Sequence, residues 1–187
     1  MKKILIGGVT AGIVVFVWGA ISHMVLPTGK MGVKQIPNEE AVLSAMKASI
    51  QEPGFYFFPG MDMSREPTPE EESAWNAKYM AGPTGVLVYH PTGSAPLSPK
   101  QLLIELASNI AAALLAPFLV SHVAAGFGRR AIIVTLMGLF AWFSISVSYW
   151  NWYGFPFSTI FTEAIDQVGG WLFGGLALAA IVKTPTK

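Results

Sequence analysis

The chain offers few residues that could do chemistry. It has three His and no Cys, which excludes thiolate metal sites, Fe–S clusters, disulfides and a cysteine nucleophile. What remains is a handful of polar groups in otherwise apolar stretches: His23, Glu105, Asn109 and Asp166, with His90 and Glu163 as additions. A His–carboxylate pair can hold or relay a proton, and two His with one or two carboxylates can bind zinc or manganese. No local ligand spacing supports the metal, so metal ligands stay unassigned. A bis-His haem needs two His at similar depth, whereas His122 falls at the opposite end of the molecule from His23. No cofactor is expected, and the one residual option is ligation of a chlorophyll-type pigment or a metal by a single His. There is no G-x-S-x-G elbow, phosphate loop, H-E-x-x-H or dinucleotide fingerprint. No catalytic residue is assigned, and the expectation is a protein that is not an enzyme.

The elements that must position these groups follow from composition. Only 12% of the 187 residues are charged, about half the roughly 25% of a globular domain, and mean hydropathy is +0.50. A net charge of +1 excludes a broadly basic nucleic-acid binder. A helix that crosses a membrane needs about 20 mostly apolar residues. Four stretches qualify: 1–26, 101–125, 131–150 and 165–182. The last is short enough that Thr162 to Asp166 could supply its first turn. The expected fold is an α-helical integral membrane protein with four transmembrane helices and a small extracytoplasmic α/β cap at 27–100. A turn at 126–130, an aromatic loop at 151–164 and a tail at 183–187 complete the plan.

Basic residues set the orientation. Lys2, Lys3, Arg129, Arg130, Lys183 and Lys187 mark three segments free of acids. The positive-inside rule places those segments, and hence both termini, in the cytoplasm. Ala20-Ile21-Ser22 also suits a signal-peptide cleavage site. The apolar run continues to Leu26, so a retained helix is expected.

Within the cap, Asn38 followed by Glu39 and Glu40 reads as an N-cap, and the apolar spacing predicts a helix over 39–51. Thr68-Pro69-Glu70-Glu71 is a capping box that starts a second helix running to about Met80. Phe55 to Phe58 and Val86 to Tyr89 are β-prone runs expected to pair, leaning on the two helices or on the membrane surface. Ser98 to Gln101 is a further capping box that launches the second span.

Helical periodicity then groups the candidate residues. Gly8, Gly12 and Gly19 share one face of the first span, continued by His23. Asp166, Gly170 and Gly174 share a face of the fourth, and Glu105, Asn109, Ala112 and Ala116 a face of the second. His23 and Glu105 each lie about 5–6 Å from the outer ends of their spans. This predicts an outer polar cluster of His23, Glu105, Asn109 and Asp166, with His90 reaching in from the cap. The plain alternative is that acids open helices because the dipole favours them, and that the His–carboxylate bond only fixes packing. Trp150, Trp152, Tyr153, Phe155 and Phe157 form the aromatic loop, either an interfacial anchor or a docking surface.

The run Trp152-Tyr153-Gly154-Phe155-Pro156, with Asp166 and Gly170-Trp171, resembles small bacterial inner-membrane proteins. The Lys-Lys start and compact loops fit the same origin, and no functional residue is carried over from this likeness. The leading expectation is a non-catalytic accessory or assembly subunit of a larger complex in a bacterial inner membrane. Its contacts would be membrane lipids and either a membrane-protein partner or a second copy. A small oligomeric transporter gated by the outer cluster comes second, and an outer-face metal-dependent enzyme or sensor third.

Overall fold

Long, largely apolar runs have little competing turn chemistry, and each becomes one long helix. The computed structural model describes residues 2–183, so residues 184–187 of the expected tail, Lys187 among them, lie outside it. Helix α1 spans Lys2–Met24 and is followed by a single 3-10 turn at Pro27–Lys30. Next come α2 (Glu39–Ser49), β1 (Gly54–Phe58), α3 (Pro69–Ala81) and β2 (Gly85–Tyr89). Helix α4 is Pro99–Ser121, α5 is Phe127–Ala141, α6 is Val147–Tyr153 and α7 is Phe157–Ile181. A π-turn at Trp142–Ser146 joins α5 to α6 in one continuous 27-residue helix. Among the described residues, four helices are long and apolar enough to cross a membrane: α1, α4, α5 with α6, and α7.

The chain divides into two compact units. One comprises residues up to Val33 and from Pro96 onward, and the other is Lys34–Ala95. In the helical unit α1 packs against both α4 and α7, and α7 packs against both α1 and α5, while α4 and α5 touch only slightly. The helices therefore lie in the order α4–α1–α7–α5, with each antiparallel to its neighbour. The core between them is small and apolar: Ala11, Ala113, Ala116, Val134 and Leu178 are fully covered.

Several element boundaries differ from expectation. Helix α4 stops at Ser121 rather than near 125, because side chains take over its last-turn carbonyls. Ser121 Oγ donates to Phe118 O at 2.8 Å, and His122 Nδ1 donates to the same oxygen at 2.7 Å. Helix α7 begins at Phe157 rather than near 165. Pro156 holds the extended N-cap conformation, and Gly154 at φ 70° closes α6 just before it. The expected aromatic loop at 151–164 is consequently mostly helical and shrinks to a Gly154-Phe155-Pro156 corner. The π-turn has a local cause as well. Ser144 Oγ donates to Phe140 O at 2.8 Å and Ala141 O at 3.3 Å, competing with the backbone for those carbonyls.

The smaller unit is an antiparallel strand pair with two helices. Phe55 pairs with Val88 and Phe57 with Val86 in the β1–β2 ladder. Trp75 on α3 donates its indole N–H to Pro59 O at 3.0 Å, which ties α3 to the end of β1. Asn38 sits at the N-cap position of α2 but in the left-handed conformation at φ 53°, and its side chain caps nothing. Asn tolerates that conformation, which here sets the chain direction instead of satisfying a helix N–H.

The capping box of α3 is tied into an ion pair. Arg65 donates to the Glu71 carboxylate at 2.6 and 2.8 Å, and the Thr68 N–H donates to it at 2.9 Å. The Arg65 guanidinium first, and the Thr68 N–H second, hold the Glu71 carboxyl at about 2, below its ordinary 4.5. A depressed carboxyl pKa contributes stability that is full above the unfolded value and lost as pH falls through the folded one. The helical start of α3 is therefore expected to hold at pH 4.5 and to loosen as pH approaches 2. A carbon NMR titration of the Glu71 carboxyl should give a midpoint near 2, and a midpoint near 4.5 would show that the box is open in solution.

Candidate functional site

The site begins with glycines that let α1 and α7 approach. The Trp18 ring of α1 lies across Gly169, where any Cβ would stand within 2.9 Å of the indole. Its N–H donates to Ile165 O at 3.3 Å. Gly170 meets Trp18 and Val15, and Gly174 meets Val15 and Ala11, so the two backbones stay close along this seam.

That seam carries His23 to Asp166. His23 Nε2 lies 3.2 Å from Asp166 Oδ2. The His23 Nδ1–H donates to Gly19 O at 3.0 Å. A carbonyl oxygen only accepts, so Nδ1 carries a hydrogen and Nε2 faces the Asp166 carboxylate. The His23 side chain is 61% exposed and that of Asp166 only 16%. Asp166 Oδ1 is buried with no hydrogen-bond partner among the described residues. The pair can tie the ends of α1 and α7 together. Glu163 lies one turn earlier on α7, on the same side as Asp166.

Glu105 and Asn109 lie elsewhere. Gly8 faces Leu114 and Gly12 faces Ile110, and this register brings Glu105 level with Val17. That is about 9 Å along the helix from His23. Glu105 Oε1 instead accepts from Asn109 Nδ2 at 3.0 Å, a bond within α4. Counting depth from assumed span ends missed this, because α4 begins at Pro99 and the glycine contacts, not the ends, set the register. His90 follows β2 in the smaller unit and is exposed there. Among the described residues no three His, Asp or Glu side chains are grouped to hold a metal ion.

The five aromatic candidates also divide. Trp152 and Phe157 point outward, 77% and 70% exposed, as does Trp150. Phe155 folds back to stack on Tyr149 at 5.7 Å, and Tyr153 packs on the same ring at 5.6 Å. The glycine stripe is uneven as well. Gly8 and Gly12 are pressed against the α4 backbone, whereas a Cβ on Gly19 would meet nothing within 4 Å.

No protein-family model, curated protein or solved structure matches the chain. The reading of the site therefore rests on its own geometry.

Arg130 is the residue that orientation counting undervalued. It is 5% exposed and donates to Ala125 O and, at 3.0 Å, to Ala179 O. Ala179 O is among the last-turn carbonyls of α7 that have no intrahelical partner. An arginine in the first turn of α5 opposes that helix's dipole, but here its charge meets the negative end of α7. A usable signal existed in the sequence, since Arg130, Val134 and Gly138 fall on one helical face and all three are buried.

Proposed function

We propose that this is a multi-pass protein of a bacterial inner membrane, with both termini cytoplasmic, that acts by association as an accessory or assembly subunit. Lys2, Lys3, Arg129 and Lys183 gather at one end of the helical unit, and an excess of basic residues favours the cytoplasmic side. The observation that carries the association reading is the outer side of α4. Glu105 and Ser108 are exposed there on the same side as Leu115 and Leu119, with Asn109 half-buried. By helix rise Asn109 sits about 15 Å into the span. Polar groups at such depth are costly against lipid and normally face protein. A partner helix lying on this side of α4 would supply their missing surroundings. The outward Trp150, Trp152 and Phe157 offer a second contact region at the end of α6 and the start of α7.

Native mass spectrometry of the chain extracted from its own membranes should give reproducible heteromeric masses. Glu105→Leu and Trp152→Ala are each expected to reduce the heteromeric fraction several-fold without unfolding the chain. A monomer unaffected by either substitution would remove the association reading. A small carrier built on the polar end has less support, because the core between α1, α4, α5 and α7 is apolar below the level of His23 and Asp166.

A further inference from the structure

A cavity of about 210 Å³ opens between the π-turn region of the long α5–α6 helix and the first turns of α7. Its wall is mostly apolar, with Ile145, Ile160, Tyr149 and Phe155, and its polar members are Ser146 and, on α7, Thr159, Glu163 and Gln167. The π-turn itself contributes to this wall, and such turns recur at functional sites because they displace side chains from the regular helical face.

The charge on this wall is one-sided. Among the described residues Glu163 is its only ionisable group apart from the Tyr149 phenol, and no Lys, Arg or His of them lines the space. His23, on α1, is already held by Asp166. Tyr149 and Phe155 present stacked rings with centroids 5.7 Å apart. Aromatic faces are negative and attract cations, most strongly where water is excluded. A carboxylate in apolar surroundings stays ionised most readily when a counter-charge sits beside it. An anion would meet the like charge of the Glu163 carboxylate, and an uncharged hydrocarbon would leave that carboxylate without a counter-charge.

We propose that this cavity binds the ammonium group of an amphiphile, with the nitrogen between the Glu163 carboxylate and the Tyr149–Phe155 rings. The attached chain runs out along Ile145 and Ile160. The volume fits a small head group and its first methylenes, with the rest of the chain left outside. Two sources share this chemistry, an ethanolamine-headed lipid and a free alkylamine. The site stands whether or not the chain works by association.

The test is titration of the full-length protein in maltoside micelles with dodecylammonium, followed by calorimetry against protein-free micelles. The expected result is saturable binding at one per chain. Dodecanol should bind at least about tenfold more weakly, and so should dodecylammonium to Glu163→Gln. Equal affinity for the two probes, or undiminished binding to Glu163→Gln, overturns the proposal. Should Glu163→Gln not fold, Tyr149→Leu keeps the apolar wall and removes a ring face. A several-fold loss of affinity is then expected, and unchanged affinity is the contrary result. Mixed micelles assign the source. Loss of probe binding when an ethanolamine lipid is added, but not a glycerol-headed one, identifies the lipid head group as the natural occupant. Undiminished binding with both lipids identifies a free amine.

Discussion

A Gly12→Leu chain is expected to lose the α1–α4 contact and to unfold at a clearly lower denaturant level than the parent. A Cβ at position 12 would stand 2.5 Å from Ile110 Cα, 2.8 Å from Ile110 N and 2.9 Å from Asn109 O. All three are backbone atoms, so no side-chain rotation can relieve the clash and the helices must move apart. Overpacking typically costs about 1–3 kcal/mol, and a backbone clash belongs at the top of that range or beyond. The separation also uncovers Ala11, Ala113 and Ala116, which are buried in the core. Gly19→Leu is the matched control. Nothing lies within 4 Å of a Cβ there, so its effect should stay within about 0.5 kcal/mol. Unfolding of both variants in mixed dodecyl sulfate–maltoside micelles, followed by tryptophan fluorescence, measures the difference. Equal midpoints would mean that the α1–α4 contact does not hold in the membrane-mimetic state.

The second large effect is expected at Arg130. Replacing it with Met keeps the length and apolar character of the side chain but removes the donors to Ala125 O and Ala179 O. Buried acceptors left without donors cost about 1–3 kcal/mol each, and bonds from a charged donor lie at the upper end. A loss of about 3 kcal/mol or more is expected, concentrated where α5 meets the end of α7. Arg130→Lys should recover only part of this, because one ammonium cannot span two carbonyls as the guanidinium fork does. Arg129, its exposed neighbour, should tolerate Met with little change. The same micelle unfolding series reads all three, and equal losses at 129 and 130 would reduce Arg130 to a topological marker. Hydrogen exchange should localise the Arg130→Met effect to the last turn of α7.

These two sites act through different physics. Gly12 works by absence, allowing two backbones to meet closely. Pro117 on the facing helix adds to that contact. It is fully covered and lacks the N–H that Ala113 O would otherwise accept, and that oxygen lies 3.3 Å from the Cβ position of Gly8. Arg130 works by presence, supplying charge and donors where the end of α7 has only acceptors. A fold with so small an apolar core depends heavily on both.

Much of this was legible in the sequence because it is local. The long helices follow from largely apolar runs, while the end of α4 and the start of α7 were set by their neighbours. The capping boxes at Thr68–Glu71 and Ser98–Gln101 form as spaced, since each needs only residues three apart. The strand pair follows from two β-prone runs bounded by Gly and Pro. Even the meeting of His23 with Asp166 was readable, because antiparallel helices bring the end of one beside the start of the other.

Tertiary structure alone decided the rest, and the reason is the same in each case. Periodicity assigns a residue to a face but does not say which neighbour that face meets or at what level. Gly12 and Gly19 were equivalent by spacing, yet only Gly12 touches a backbone, because α4 crosses α1 at that level. Glu105 was expected beside His23 and lies about 9 Å away, since the glycine contacts set the register. Arg129 and Arg130 were equivalent by charge, yet the 100° between adjacent residues turns one to the outside and the other onto the end of α7. The side chains of a helix are ordered by its own sequence, and their partners are chosen only when the helices pack.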